Sequence, residues 1–460
     1  MSMIRSINPA TEELIASYDP MTPQQIDEIL AKSRAAFERW RGTSMDERAA
    51  LVRRAGEHLR ANQERYAGLA TAEMGKPIAQ AEAEVEKSAT GCDFYAEHGP
   101  QFLADERVES PAYESYVSFE PLGVVLTIMP WNFPYWQAFR CAIPAIMAGN
   151  AVVLKHASNV TGCALAIEEV FREAGFPDGV FRTLVLESKD VDQVIEDPRI
   201  VAVALTGSDA AGSKVAAKAG ALLKKTVLEL GGSDPFIVLE DADVEGAVGF
   251  AARSRFQNAG QSCIAAKRFL VVEAIADRFE HLFKEAADAL VLGDPTNRAT
   301  NMGPLARADL REALEQQCAA TIEQGATLVT GGQRLDRTGY FYAPTILAGV
   351  TPAMPAFQEE TFGPLAAIIR VKDVDEAISL ANDSPYGLGG NIWTRDIERA
   401  KALARRVESG TVAINGMVAS HPRLPFGGVK RSGYGRELSS FGIREFTNIQ
   451  TIWIEQGPAA

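Results

Sequence analysis

The chain has 460 residues, 47% hydrophobic and 23% charged, with 46 basic against 60 acidic side chains and a net charge of −14. That length asks for two or three cores rather than one, and the composition is that of an ordinary globular protein. The acidic balance excludes nucleic acid or an anionic membrane surface as main partner, and no apolar run approaches the roughly 20 residues that span a bilayer.

Residues 1–9 lack the apolar stretch of a secretory signal, so a cytoplasmic location is expected. The cysteines Cys92, Cys141, Cys163, Cys263 and Cys318 are widely spaced, with no C-x-x-C, and the histidines are scattered. Neither a disulfide framework nor a metal site is expected.

The first hundred residues read as helices. Thr22 precedes Pro23, an N-cap followed by proline at the first helical position, and Ile26, Ile29, Leu30, Ser33 and Phe37 follow a 3.6-residue stripe. Further helices are predicted over residues 44–58, 64–73 and 78–99, with a break at Gly75-Lys76-Pro77. The acidic face of the last of these reads as a solvated surface.

From Tyr113 the period changes. Residues 113–120 alternate, as a half-exposed strand does. Residues 123–128 are almost all apolar, as a strand covered on both faces should be, and similar runs recur at 151–155, 181–186, 201–205, 226–230 and 236–239. Helical stretches at 161–174, 191–196 and 212–221 separate several of them, which predicts a doubly wound parallel sheet.

A second α/β series follows: a strand near 268–273, helices at 274–290 and 307–324, an apolar run at 366–371, and helices at 374–382 and 396–407. The extended tail at 447–455 has no partner of its own, so it is expected to complete a sheet elsewhere, and another subunit could supply it.

Several short stretches carry chemistry. Thr206-Gly207-Ser208 joins a predicted strand to a helix, where backbone N–H groups and the helix dipole suit a pyrophosphate. It is neither G-x-G-x-x-G nor a Walker loop. Lys155 ends a strand at the same sheet edge. Pro130-Trp131-Asn132-Phe133-Pro134 holds a side-chain amide on a stiff loop, as an oxyanion donor requires. Glu229-Leu230-Gly231-Gly232 sets a carboxylate at a strand end, and Asn258-Ala259-Gly260-Gln261-Ser262-Cys263 presents a thiol after a small, flexible run.

These motifs, followed in order by Glu359-Glu360-Thr361-Phe362-Gly363-Pro364, Pro425-Phe426-Gly427-Gly428 and Lys430–Glu437, resemble the signature of the NAD(P)-dependent aldehyde dehydrogenase superfamily over nearly the whole chain. The resemblance implies an α/β fold with a doubly wound cofactor domain (1–102 and 122–231), a second α/β catalytic domain (232–440) and oligomerisation strands (103–121 and 441–460).

By the same resemblance, Cys263 is the nucleophile, Asn132 and the Cys263 N–H hold the oxyanion, and Glu229 is the general base. Lys155 and Glu360 would bind the riboses, Gly207 and Ser208 the pyrophosphate. Trp131 and Phe362 would frame the nicotinamide end, with Leu230 beside them. Ser158 stands where many NAD-preferring members carry glutamate. A hydroxyl there accepts a 2′-phosphate that a carboxylate would repel, so NADP is the expected cofactor, with NAD as the alternative.

Arg140 and Ser420 match positions at which succinate-semialdehyde dehydrogenases hold the substrate carboxylate, and Trp136 adds an apolar wall. A second arginine of some of those enzymes is replaced by Gln257, and Ala265 replaces a second cysteine. A small aldehyde bearing a carboxylate is the expected substrate, and a homodimer or homotetramer the expected assembly. A glutarate-semialdehyde or general aliphatic enzyme, a CoA-acylating enzyme and a non-catalytic homologue are the alternatives.

Overall fold

The computed structural model describes residues 3–457. The helical first part forms largely where its signals lie. Thr22 closes a capping box with Gln25 at the start of the helix Pro23–Trp40, and Ser44 caps Met45–Ala61. The helix Gln63–Met74 ends at Gly75 in the left-handed conformation (φ 79°), and Ile78–Phe102 follows at once.

Two expectations change here. A hairpin, Ile4–Ile7 with Leu14–Tyr18, precedes the helices. It is held by a long-range contact no local pattern announces: Ser6 Oγ donates to Glu73 Oε1 at 2.8 Å. The acidic face of Ile78–Phe102 is also only partly solvated, because Glu84 is buried and paired with buried Lys76.

The predicted doubly wound sheet has six strands, in the order Gly433–Tyr434, Lys225–Glu229, Ile200–Thr206, Val124–Met129, Ala151–His156 and Phe181–Thr183. All pairs are parallel except the first, where Gly433–Tyr434 returns antiparallel to Lys225–Glu229 from inside the segment expected to be catalytic. From Val124–Met129 the chain winds outward one way, then returns to lay Ile200–Thr206 on the other side. The crevice between these two strands is the switch point at which such sheets bind ligands.

The second sheet has seven strands: Thr327–Thr330, Thr345–Ala348, Leu365–Val371, Ala266–Val272, Asp234–Val238, Gly389–Trp393 and Thr411–Ile414. The apolar run near residue 236 belongs here rather than to the first sheet.

The tail strand Thr447–Ile454 pairs along its full length with Glu114–Pro121 of the same chain. The tail thus completes a sheet elsewhere, as expected, with the partner strand supplied by the same chain. It remains an edge strand, with Ile449 and Trp453 exposed.

Candidate active site

Four loops meet at the carboxyl ends of the strands. Pro130–Phe133 follows Val124–Met129, Gly207-Ser208 follows Ile200–Thr206, Lys155 lies near the end of Ala151–His156, and Glu229 ends its own strand. In-register parallel pairing fixes this meeting: Ile128 lies beside both Lys155 and Leu205, and Thr206 beside Glu229.

The Cys263 segment is pinned rather than flexible. Asn258 and Ala259 are both left-handed (φ 54° and 52°), followed by Gly260 (φ 73°), where a side chain would collide with the carbonyl oxygen of Gly363. A left-handed alanine costs about 1–2 kcal/mol, so the surroundings must impose the shape. Gln261 Oε1 accepts from Ala306 N at 2.9 Å, Arg255 Nη2 donates to Gly260 O at 2.6 Å, and Lys267 Nζ donates to Cys263 O at 2.8 Å.

Asn132 is tied to this segment from both sides. Its Nδ2 donates to Gln261 O at 3.0 Å, and its own carbonyl accepts from Asn258 Nδ2 at 2.8 Å. One bond uses one amide hydrogen and leaves the second to meet a developing oxyanion. The next helix, Pro134–Met147, is oriented by Glu84 Oε1, which accepts from Tyr135 N at 2.8 Å and Trp136 N at 3.0 Å.

Burial dominates the electrostatics. The Cys263 thiol is pushed up to about 12 by desolvation, against the pull of Arg140 and Lys267. Glu229 is 2% exposed and neither carboxyl oxygen has a hydrogen-bond partner among the described residues. Burial first, then the Glu437 charge, raise its pKa well above the carboxylate range, while Arg140 and Arg436 oppose the rise. Arg140 pairs through Nε with buried Glu437 and lies 4.7 Å from the Phe426 ring centre. Its burial alone would favour loss of the proton, but Glu437, Glu229 and Cys263 together hold the guanidinium charged.

A cavity of about 280 Å³ lies beside the thiol and is lined by Cys263, Trp136, Arg140, Ser420, Phe426 and Lys87. It opens on an outer cavity of about 630 Å³ that shares Lys87, Phe133, Trp136 and Gln257. Ser420 Oγ accepts from Trp136 Nε1 at 2.9 Å. The structure thus brings Arg140, Trp136 and Ser420 to the cavity beside the thiol; Arg140 pairs with Glu437 through Nε, and its Nη2 has no hydrogen-bond partner among the described residues.

The residues expected to bind a cofactor gather along the switch crevice. Ser208 caps the helix Asp209–Ala221, which starts three residues before the predicted position and directs its N-terminus at the crevice. Lys155 is 5% exposed, and among the described residues its Nζ donates to Ser188 Oγ at 3.5 Å. A buried ammonium with no carboxylate beside it among the described residues suits an anionic or polyhydroxyl ligand. Thr206 Oγ1 is likewise buried without a partner.

Glu360 Oε1 accepts from Gly232 N at 3.0 Å and Lys267 Nζ at 3.2 Å, so its carboxylate is aimed rather than loose. The other oxygen lies where any side chain at Gly231 would sit. Trp131 meets Phe362 edge to face at 5.7 Å. Leu230 packs on Gly212 of the helix Asp209–Ala221. Ser158 opens a short helical turn, Ser158–Val160, just beyond Lys155. These donors and surfaces fit a nicotinamide dinucleotide.

Sequence reasoning missed the roles of Lys87, Glu437, Lys267 and Gln261. Glu437 and Gln261 stand inside recognised motifs, so a signal existed. Lys87 and Lys267 gave none, because a single lysine on a helix or strand reads as surface.

Comparison with known proteins agrees with this geometry. The sequence profile of the aldehyde dehydrogenase family matches residues 1–452. The chain is 52% identical over 448 residues to the succinate semialdehyde dehydrogenase Sad of Escherichia coli (strain K12), named for NAD(P)+, covering 97% of both chains. It is 47% identical over 454 residues to the NADP(+) succinate-semialdehyde dehydrogenase 1 of Mycobacterium tuberculosis (strain H37Rv), covering 98% of this chain and 99% of that one. The crystal structure of succinic semialdehyde dehydrogenase from Streptococcus pyogenes in complex with NADP+ superposes with a TM-score of 0.97 at 40% identity, over 98% of this chain and 100% of that one. The chain belongs to the aldehyde dehydrogenase family.

Proposed function

We propose that the protein oxidises succinate semialdehyde, or a close short-chain acidic aldehyde, to the carboxylate with NADP as preferred cofactor and NAD as a weaker one. The observation that carries this reading is the cavity that sets a cationic wall beside the Cys263 thiol, with Asn132 Nδ2 bonded to the backbone two residues before that thiol. Relatives of the same name at about half identity support it.

The Cys263 sulfur attacks the aldehyde carbon and forms a thiohemiacetal, whose oxyanion accepts from Asn132 Nδ2 and the Cys263 N–H. Bound nicotinamide supplies the hydride acceptor, with Lys155, Ser158, Gly207, Ser208, Leu230, Glu360, Trp131 and Phe362 holding the dinucleotide. The thioester left on Cys263 is then hydrolysed. Arg140 offsets the negative charge that deprotonated Glu229 carries beside Glu437, and Glu229 then takes the proton of the attacking water.

The first sheet with its helices (1–102 and 122–231) serves as cofactor domain and 232–440 as catalytic domain. The strands in 103–121 and 441–460, with an open edge at Ile449 and Trp453, suit assembly into a homodimer or homotetramer in the cytoplasm.

A cofactor-reduction assay tests the reading. Succinate semialdehyde with NADP should give the highest kcat/KM, above butanal and above NAD. Equal rates with butanal, or a large NAD advantage, would overturn the substrate or the cofactor assignment respectively.

A further inference from the structure

Lysine is seldom fully buried, yet the Lys267 side chain is 0% exposed. It stands near the start of Ala266–Val272, an inner strand of the seven-stranded sheet. The pairing of that strand explains where the side chain goes. Asp234 pairs with Ala266 and Pro235 with Arg268, so Lys267 is the extra residue of a bulge. A bulge breaks the alternation of a strand and re-aims a side chain. Arg268 turns to the carbonyls of Ser233, Leu380 and Ala381, and Lys267 turns to the loop that carries Cys263.

A buried ammonium is costly unless its hydrogens are met. Lys267 has three, and three acceptors surround its Nζ: Cys263 O at 2.8 Å, Ser262 O at 3.1 Å and Glu360 Oε1 at 3.2 Å. The carboxylate is the most distant of them, and the other two are carbonyls of the catalytic loop. Glu360 has a further donor in Gly232 N, and its side chain is 18% exposed. Service as a counter-ion to Glu360 therefore does not account for the placement of Lys267.

Ser262 O is the informative partner. It belongs to the planar peptide that also carries the Cys263 N–H, and in a trans peptide these two bonds point in opposite directions. Ala265 N donates to the same oxygen at 3.2 Å. Two donors thus hold Ser262 O, and the direction of the Cys263 N–H is set from the far side of the peptide. A positive charge on the carbonyl oxygen also polarises the peptide and strengthens its N–H as a donor.

We propose that Lys267 is a positioning residue for the oxyanion site: it clamps the Ser262–Cys263 peptide so that the Cys263 N–H meets the oxyanion formed when the thiol sulfur adds to the aldehyde. This rests on the thiohemiacetal reading above. No bond to Lys267 forms or breaks, and its protons stay in place throughout.

The test is the rate of NADPH formation in single turnovers of succinate semialdehyde, with enzyme in excess and NADP saturating, for the wild type, Lys267→Met and Asn132→Ala. Lys267→Met should slow this rate about 10²-fold, the size of losing one oxyanion donor. The enzyme concentration that gives half the maximal rate should move by less than about threefold, because aldehyde binding precedes the oxyanion. Alkylation of Cys263 by iodoacetamide displaces iodide from a saturated carbon and builds no oxyanion, so it should slow by less than about tenfold, through the thiol's lost cationic neighbour alone. Thermal unfolding and NADP titration check each fold, and Lys267→Gln replaces the methionine variant if that one does not fold.

An unchanged single-turnover rate without the ammonium overturns the proposal. So does alkylation that slows as much as turnover, which would assign Lys267 to thiol ionisation instead. An Asn132→Ala rate equal to that of the wild type overturns the oxyanion reading itself, and the proposal with it.

Discussion

Replacing Lys76 by methionine should loosen the Asn132 loop from below. The Lys76 and Glu84 side chains are 0% and 1% exposed. Glu84 also accepts two backbone N–H groups at the start of Pro134–Met147, and Lys76 Nζ lies 3.8 Å from the Phe133 ring centre. The pair thus braces the residues directly after Asn132. Methionine keeps the packing of the stem and removes only the charge, leaving Glu84 uncompensated in a dry site. Loss of one member of a buried pair costs about 3–5 kcal/mol.

Urea denaturation followed by tryptophan fluorescence should show that loss, and Glu84→Gln alone should show a similar one. The double variant should cost less than the sum, with a coupling above about 1 kcal/mol. Because Asn132 moves with its loop, kcat should fall as well, by up to about 10²-fold. A stability loss below about 1 kcal/mol for Lys76→Met, or an additive double variant, would refute the brace.

Other outcomes follow from the same geometry. Cys263→Ala should abolish aldehyde oxidation yet keep NADP affinity by fluorescence titration, because the thiol is no part of the dinucleotide crevice. Glu229→Gln should retain a burst of cofactor reduction and then stall, with steady turnover down by about 10²–10⁴-fold, since only hydrolysis needs the base. A proportional loss of burst and turnover would remove Glu229 from that role. Ser158→Glu should shift the kcat/KM ratio from NADP towards NAD by charge repulsion; an unchanged ratio would make Ser158 a bystander.

The pH profile follows from two raised groups. Burial lifts the pKa values of both Glu229 and Cys263, so their deprotonated working forms increase with pH and kcat should climb as pH rises. A kcat that stays flat or falls on the alkaline side of neutrality would contradict this.

Much of this was legible in the sequence because it is written in local pattern. Buried strands read as unbroken apolar runs, and Thr22, Pro23 and Gly75 mark helix ends by their own conformational limits. The catalytic types at Asn132, Glu229 and Cys263 stand inside stiff or glycine-rich motifs. What stayed hidden depends on partners far along the chain. Lys87 meets Ser420, and Lys76 meets Glu84 only because a helix break turns it inward. The tail strand needed Glu114–Pro121 to find its mate. Arg140 lines the cavity, and its pairing with Glu437 could not be read from spacing. The rigidity of Asn258–Cys263 was also invisible, since small polar residues suggest freedom until their hydrogen bonds are counted.

The central claim is that Cys263 carries the acyl group in a chemistry completed by Glu229. Mass spectrometry of Glu229→Gln, quenched after mixing with succinate semialdehyde and NADP, tests it most directly. One acyl adduct per chain on the peptide that contains Cys263 is the predicted result. An adduct on any other cysteine, or full turnover with no adduct at Cys263, would contradict it.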